Sequence, residues 1–307
     1  MSLIEQAAKR LEQLRQAGVE IPEGLGENEV RDSGMGRRQE PSLPEMPTPA
    51  EKAAPAADVA PSQSRRVDLD LDALAAAGII GPHTPRSQIA DEYRVIKRPL
   101  IANAMGKGAA PVTNGNLIMV TSALPGEGKS FTAINLAMSI AMELDNTVML
   151  VDADVARPSV LNMLGLPPAP GLLDVLVEES VDLSQVLLKT NVEKLTLLPA
   201  GTQHPRATEL LASDAMTRLL SDMANRYSDR IIIFDSPPLL LTTESPVLAS
   251  HMGQVVMVVQ AERTLRGEVQ QALATIESCP VRLMVLNKSS RAAAEGYGYG
   301  YGYGYGT

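Results

Sequence analysis

Leu117-Ile-Met-Val-Thr-Ser-Ala-Leu-Pro-Gly-Glu-Gly-Lys129-Ser130-Phe-Thr-Ala-Ile-Asn-Leu-Ala137 joins an apolar run to a helix-forming one through a glycine-bearing turn. The first part, Leu117–Thr121, has the character of a buried strand, and the residues from Ser130 onward that of a helix. Between them, Gly126 and Gly128 let successive main-chain N–H groups turn inward around phosphate oxygens. The amino end of the helix adds its positive field. Lys129 is placed to reach the β- and γ-phosphates of a nucleotide, and the Ser130 hydroxyl to ligate Mg²⁺. Pro125, Glu127 and Phe131 complete the segment expected to line that nucleotide. The strict pattern G-x-x-x-x-G-K-[ST] asks for glycine where Ala123 stands; the strand–loop–helix context carries the reading.

The same alternation extends downstream. Val148–Val151, Leu195–Leu198, Ile231–Phe234, Val255–Val259 and Leu283–Leu286 are short and nearly all apolar, as a parallel sheet covered on both faces requires. Helices are expected at Ser87 to about Ala104, Ser130–Leu144, Ala207–Arg226 (as two helices) and Leu265–Ser278. The predicted fold is an α/β domain over residues 67–290, doubly wound around a mostly parallel sheet. Ligands gather at the carboxyl ends of such strands. Asp152 and Asp154 follow one strand and Asp235 another. A carboxylate there is costly unless it meets a cation. Mg²⁺ on nucleotide phosphates is the obvious candidate, and it needs few protein ligands. The remaining aspartates are then free to receive a proton from an attacking hydroxyl. The plainer alternative is that Asp152 or Asp154 caps the segment that follows.

Composition narrows the function. The 307 residues carry a formal charge of −9, which argues against a nucleic-acid binder. A single cysteine, Cys279, fits a reducing cytoplasm. His83, His204 and His251 lack metal-ligand spacing. No long apolar run or signal-peptide stretch is evident, so neither a membrane span nor secretion is expected. Residues 1–18 place Leu3, Ile4, Ala7, Leu11 and Leu14 on one face of a short amphipathic helix, which would dock on a partner or another copy. Residues 19–66, rich in Pro, Ala, Glu and Ser, suggest a disordered linker. Residues 291–307 form a Gly-Tyr tail holding Tyr297, Tyr299, Tyr301, Tyr303 and Tyr305, five of the chain's 7 tyrosines. Half-glycine sequence cannot build a core, so these phenols are expected in water.

Taken in order, Ala-Leu-Pro-Gly-Glu-Gly-Lys-Ser, Asp152-Ala-Asp154 with Arg157-Pro158, Ile-Ile-Ile-Phe-Asp235-Ser-Pro-Pro and the tyrosine tail resemble the bacterial tyrosine kinases of exopolysaccharide and capsule synthesis. The nearest likeness is to the soluble autokinases of exosortase-type clusters. The resemblance implies a P-loop NTPase of the deviant-Walker, ParA/MinD-like type that uses ATP and Mg²⁺. It places Gly126, Gly128, Lys129 and Ser130 in Walker A, Asp152 and Asp154 in the A′ segment, and Asp235 in Walker B. By the same resemblance Lys129, Asp152 and Asp154 are catalytic, and Ser130, Asp235 and Asp152 are the metal ligands. Either A′ aspartate is the tyrosine's proton acceptor. Asn287 falls where related folds contact adenine. The tail tyrosines are the phosphoacceptors. Asp91, Arg94 and Lys97 match a charged helical stripe that joins protomers into a ring, although Lys in place of Arg loses the bidentate fork. The family further implies a membrane-embedded chain-length regulator as partner and recruitment from the cytoplasm to the inner face of the plasma membrane.

A glycine-rich coil from about Ser290 to Tyr305 spans roughly 20 Å on average and about 50 Å when stretched. It can therefore enter a neighbour's site, and transfer between molecules is expected. Five phosphotyrosines would add roughly −8 to −10 charges, spaced about 7 Å apart and so within the screening length. Phosphorylation is therefore expected to open an oligomer. Two other functions compete. A ParA/MinD-like positioning ATPase would carry a further lysine where Leu124 stands. A non-catalytic scaffold would leave three aspartates without work.

Overall fold

The computed structural model describes residues 65–289, leaving out 179 and 228. The chain divides into two units, Met1–Ala57 and Asp58–Thr307, and the described residues belong to the second. The expected amino-terminal helix, nearly all of the expected linker and the Gly-Tyr tail lie outside them.

Among the described residues eight strands form one sheet: β1 (Arg65–Arg66), β2 (Leu117–Ser122), β3 (Thr147–Asp152), β4 (Leu188–Lys189), β5 (Leu195–Leu198), β6 (Arg230–Asp235), β7 (Gln254–Gln260) and β8 (Val281–Asn287). Their spatial order is β1-β4-β5-β3-β6-β2-β7-β8. Among the described residues every pairing is parallel except β4 with β5. The six expected strands are all present. The two-residue strands β1 and β4 were not anticipated, because two residues carry no periodicity to detect.

The core has two halves, one on each face of the sheet, because alternate side chains of a strand point to opposite faces. Met119, Met149, Val151, Ile232, Phe234 and Met257 lie on one face with Met216, Leu220 and Met223 of the helix Asp214–Arg226. Ile118, Val120, Val148, Leu150, Ile231 and Ile233 lie on the other with the helix Lys129–Ala141. From Thr132 to Ala141 every residue of that helix is buried, since the sheet takes one side and the helix Gln88–Ala104 packs on another. Each fully buried Leu or Ile contributes roughly 1.5–3 kcal/mol. The two expected helices within Ala207–Arg226 separate at Ala212–Ser213, where the Ser213 hydroxyl accepts the Met216 N–H at 3.2 Å and starts the second.

The segment before the first long helix is part of this core. Leu69, Leu74, Ile79 and Ile80 are buried on the helix Lys129–Ala141 side. Asn191 clasps the Leu69 main chain at 2.9 and 3.0 Å, and Asn135 accepts the Ile80 N–H at 2.8 Å.

Lys97 departs from the expected exposed stripe. Asp91 and Arg94 pair on the solvent side of their helix, but the Lys97 side chain is only 6% exposed. Its ammonium donates to the Ser139 carbonyl at 2.6 Å and meets Glu143 at 2.6 Å. The reason is angular. Each three-residue step turns about 60° around an α-helix, so two steps carry Lys97 far from Asp91 and onto the face that packs inward. Among the described residues, no helix is long and apolar enough to cross a membrane.

Candidate functional site

The turn after β2 passes through Gly126 (φ 81°) and Gly128 (φ 100°) into the helix Lys129–Ala141. Gly128 is doubly constrained: its φ is left-handed, and a Cβ there would collide with the Asn287 amide. Ala123 has no positive φ and its methyl is fully buried in the core. That explains why glycine is not required at this position.

Two unexpected braces hold the turn. Glu127, 2% exposed, accepts the Leu124 N–H at 2.6 Å and the Gln260 N–H at 3.3 Å, and also the Thr264 hydroxyl. Its side chain thus ties the loop to the end of β7, leaving its main chain for a nucleotide. From β8, the Asn287 amide donates to the Glu127 carbonyl at 2.8 Å and the Lys288 ammonium to the Gly126 carbonyl at 2.6 Å. Lys288 adopts a left-handed φ of 58° to do so. Asn287, expected at the adenine, here secures the loop. Phe131 turns its ring toward Gly78, at the helix-packed side of the core, so any contact it makes with phosphate falls to its main-chain N–H.

The expected acidic residues converge on the same loop. Asp152 and Asp235 end adjacent parallel strands and stand in register. Lys129 Nζ lies 2.6 Å from Asp154 Oδ2, 3.8 Å from Asp235 Oδ1 and 3.4 Å from Ser130 Oγ. Asp152 spends one oxygen on the Ser159 and Val160 N–H groups, both at 3.0 Å, and Asp154 accepts the Arg157 N–H at 3.2 Å. The capping alternative is therefore realised by one oxygen of each aspartate. Asp152 Oδ1 and both oxygens of Asp235 are buried without a hydrogen-bond partner. Ser159, which the sequence reading missed, places its hydroxyl 2.9 Å from that of Ser130; its signal was the position directly after Arg157-Pro158.

Burial, and then Asp235 beside it, pushes the Asp152 carboxyl up to about 7. Burial pushes Asp235 up to about 6 against the pull of Lys129. Burial alone would lower Lys129; Asp235 and Asp154 outweigh it and raise it. Raised carboxyls mean that the folded chain keeps protons which the unfolded chain has released. Stability therefore falls as pH rises from about 4 to about 7. Without metal or nucleotide, the protein is expected to melt at a lower temperature at about pH 8 than at about pH 5, and Mg·ADP is expected to narrow the gap. Scanning fluorimetry at the two pH values measures both, and an equal or higher melting temperature at the alkaline value would contradict the geometry.

A parallel sheet with a phosphate loop after β2 and carboxylates ending β3 and β6 defines a P-loop nucleotide-binding domain. Comparison with known proteins narrows this. The family model described as AAA domain matches residues 115–288. Tyrosine-protein kinase YwqD of Bacillus subtilis is 30% identical over 223 residues, covering 71% of this chain and 90% of that protein. Tyrosine-protein kinase CpsD of Streptococcus agalactiae is 32% identical over 183 residues, covering 58% and 77%. Wzc of Salmonella typhimurium is matched over only 25% of its own length. Among solved structures, the VpsO kinase domain superposes with a TM-score of 0.57 at 27% identity, covering 66% of this chain and 95% of that one. The chain belongs to the bacterial tyrosine-protein kinase family.

Proposed function

We propose that this chain is an ATP-dependent tyrosine autokinase that phosphorylates Tyr297, Tyr299, Tyr301, Tyr303 and Tyr305 of the Gly-Tyr tail. The observation that carries this reading is the cluster of Lys129, Asp152, Asp154 and Asp235 around a phosphate loop, in a chain that ends in glycine-spaced tyrosines. The cluster also fits Mg²⁺: Asp235 and Asp152 keep buried carboxylate oxygens with no hydrogen-bond partner, Asp235 Oδ1 lies 3.8 Å from the Lys129 ammonium, and the Ser130 hydroxyl stands alongside. These three would hold the ion, which neutralises phosphate charge when bound.

In the reaction the tyrosine oxygen attacks the γ-phosphorus, the bond to the β,γ-bridging oxygen breaks, and ADP leaves. The phenolic proton passes to Asp152 or Asp154. Lys129 leaves Asp154 to meet a phosphate oxygen, which frees Asp154 Oδ2. The work of the protein is mostly positioning and charge stabilisation. The domain plan that serves this is an amphipathic helix (1–18), a linker that ends before Arg65 rather than at the expected 66 because Arg65–Arg66 pair into the sheet, the kinase domain from there to 290, and the acceptor tail (291–307). Regulation of exopolysaccharide synthesis, a ring of protomers and docking to a membrane-embedded chain-length regulator complete the reading, and they rest on family likeness. Of the ring stripe, Asp91 and Arg94 remain available.

The test mixes a Lys129→Met protein that keeps its tail with an active protein lacking residues 291–307, under radiolabelled Mg·ATP. Label is expected on the Lys129→Met chain. An unlabelled Lys129→Met chain, with the full-length enzyme labelling itself, would refute transfer between molecules. Release of free phosphate with no protein labelled would favour a positioning ATPase.

A further inference from the structure

The amino ends of the strands carry a second cluster of charged groups, far from the phosphate loop. Arg66 of β1 stands opposite Lys189 of β4, and Lys189 opposite Thr196 of β5. Thr196 stands opposite Met149 of β3, and Thr147, two residues earlier, pairs with Arg230 of β6. Side chains two apart on a strand share a face, so all five point to the same side of the sheet. They line one cavity of about 410 Å³, within the range of ligand sites. Thr147 and Asp152 are the two ends of β3, as Arg230 and Asp235 are of β6. The length of such a strand, about 17 Å at the usual rise, separates this cavity from the carboxylates at the phosphate loop.

The electrostatics call for an anion. Arg66 and Lys189 are like charges directly opposite each other, which destabilises a strand pair. Among the described residues neither they nor Arg230 makes an ion pair. Against these cations and Lys194 the lining holds one carboxylate, Glu193, in a chain of net charge −9. Lys194 spends its ammonium on the Glu143 and Leu144 carbonyls. The Arg230 guanidinium rests 4.9 Å from the centre of the Tyr227 ring, which holds it in place. Its Nε is buried without a hydrogen-bond partner, and so is the Thr147 hydroxyl. Buried donors are costly to leave unmade, charged ones most of all. The two residues are register partners at the cavity wall, so one anionic group at this corner serves both.

We propose that this cavity is a second ligand site, taking a phosphate monoester of a polyol, the class to which sugar phosphates belong. The site is independent of the kinase reading. A phosphate monoester offers three terminal oxygens and about two negative charges. These match the Arg66, Lys189 and Arg230 donors and the Thr147 and Thr196 hydroxyls better than a carboxylate does, with its two oxygens and single charge. A bare phosphate, the bulk of a few waters at about 30 Å³ each, would leave most of the volume unfilled. The rest of the ligand is polar, because the lining has no aromatic residue and its one aliphatic side chain, Leu195, is 2% exposed. That leaves no platform for a nucleobase or a phenyl ring. Glu193 accepts hydrogen bonds from the ligand's hydroxyls. A ligand held in this way bridges β1, β4 and β6.

The test is calorimetric titration of the full-length protein, with the phosphate loop filled by a non-hydrolysable Mg·ATP analogue. Glucose 1-phosphate, glucose 6-phosphate and glycerol 3-phosphate are the probes, set against glucose, inorganic phosphate and phenyl phosphate. At least one polyol phosphate is expected to bind, about tenfold or more tighter than inorganic phosphate, with phenyl phosphate no better than phosphate and glucose silent. Lys189→Gln and Arg230→Gln are each expected to weaken that binding about tenfold or more, leaving affinity for the analogue within about twofold of the parent. Lys189 is exposed, so its exchange spares the fold. Silence from every polyol phosphate overturns the proposal. So does unchanged affinity in Lys189→Gln, or phenyl phosphate binding as tightly as the best polyol phosphate. None of these outcomes touches the kinase reading, which the mixing experiment decides.

Discussion

Lys129→Met is expected to reduce tail phosphorylation by about 10²–10³-fold, and to weaken the protein even before substrate is present. Two separate effects follow from one position. On the proposed reading Lys129 turns from Asp154 to the nucleotide phosphates, so its loss would remove a preformed charge from the transition state. It is also the cation set against Asp152, Asp154 and Asp235, three carboxylates that are each no more than 5% exposed. Removing one partner of a buried ion pair leaves the other uncompensated, at about 3–5 kcal/mol. The destabilisation should shrink as pH falls, because Asp152 and Asp235 take up protons near 7 and 6 and a neutral carboxyl needs no counter-ion. Phosphate incorporation and thermal unfolding at two pH values read the two effects apart. A variant that kept activity within tenfold would remove Lys129 from the mechanism. One that melted like the parent at every pH would show that the cluster does not depend on its ammonium.

Glu127→Ala should be nearly as damaging, for a reason that has nothing to do with charge on the nucleotide. Its carboxylate takes the N–H groups of Leu124 and Gln260 and the Thr264 hydroxyl. Deleting it takes the acceptor from the half-buried Leu124 N–H and Thr264 hydroxyl, at about 1–3 kcal/mol each, while the Gln260 N–H keeps the Thr264 oxygen at 3.2 Å. The phosphate loop also loses its tie to the end of β7. The expected outcome is a loss of about 2–5 kcal/mol in unfolding free energy together with a 10- to 100-fold rise in the dissociation constant for Mg·ADP. Denaturant unfolding and calorimetric titration give both numbers. Weakened binding at full stability would mean that the side chain meets the nucleotide directly. Unaltered binding in a destabilised protein would mean that the tie does not shape the loop.

Legibility followed distance along the chain. The strands β2, β3, β5, β6, β7 and β8 and the long helices were readable because each is a local hydrophobic pattern. The phosphate loop was readable because its glycines, lysine and serine are contiguous, and the aspartates because each ends an apolar strand. Lys97 was misplaced because spacing alone does not say which face of a helix a neighbour will cover. Glu127 was expected at the nucleotide from its place in the loop and Asn287 from family likeness; neither reading says where a side chain points, and the braces these two make were not legible. Two of the three partners of Glu127 lie 133 and 137 residues further along the chain.

Periodicity and short-range spacing thus determined the order of elements, the phosphate loop, the carboxylates that face it and the glycine-spaced tyrosines at the end. Tertiary structure alone decided that Asp152 and Asp235 stand side by side, that Lys129 bridges toward Asp154, that Lys97 turns inward, and that Arg66, Lys189 and Arg230 line one cavity. The physical reason is that a strand's composition fixes its burial but not its neighbours. Register and strand order emerge only when distant apolar faces are packed together, and the site lies where those distant strand ends meet.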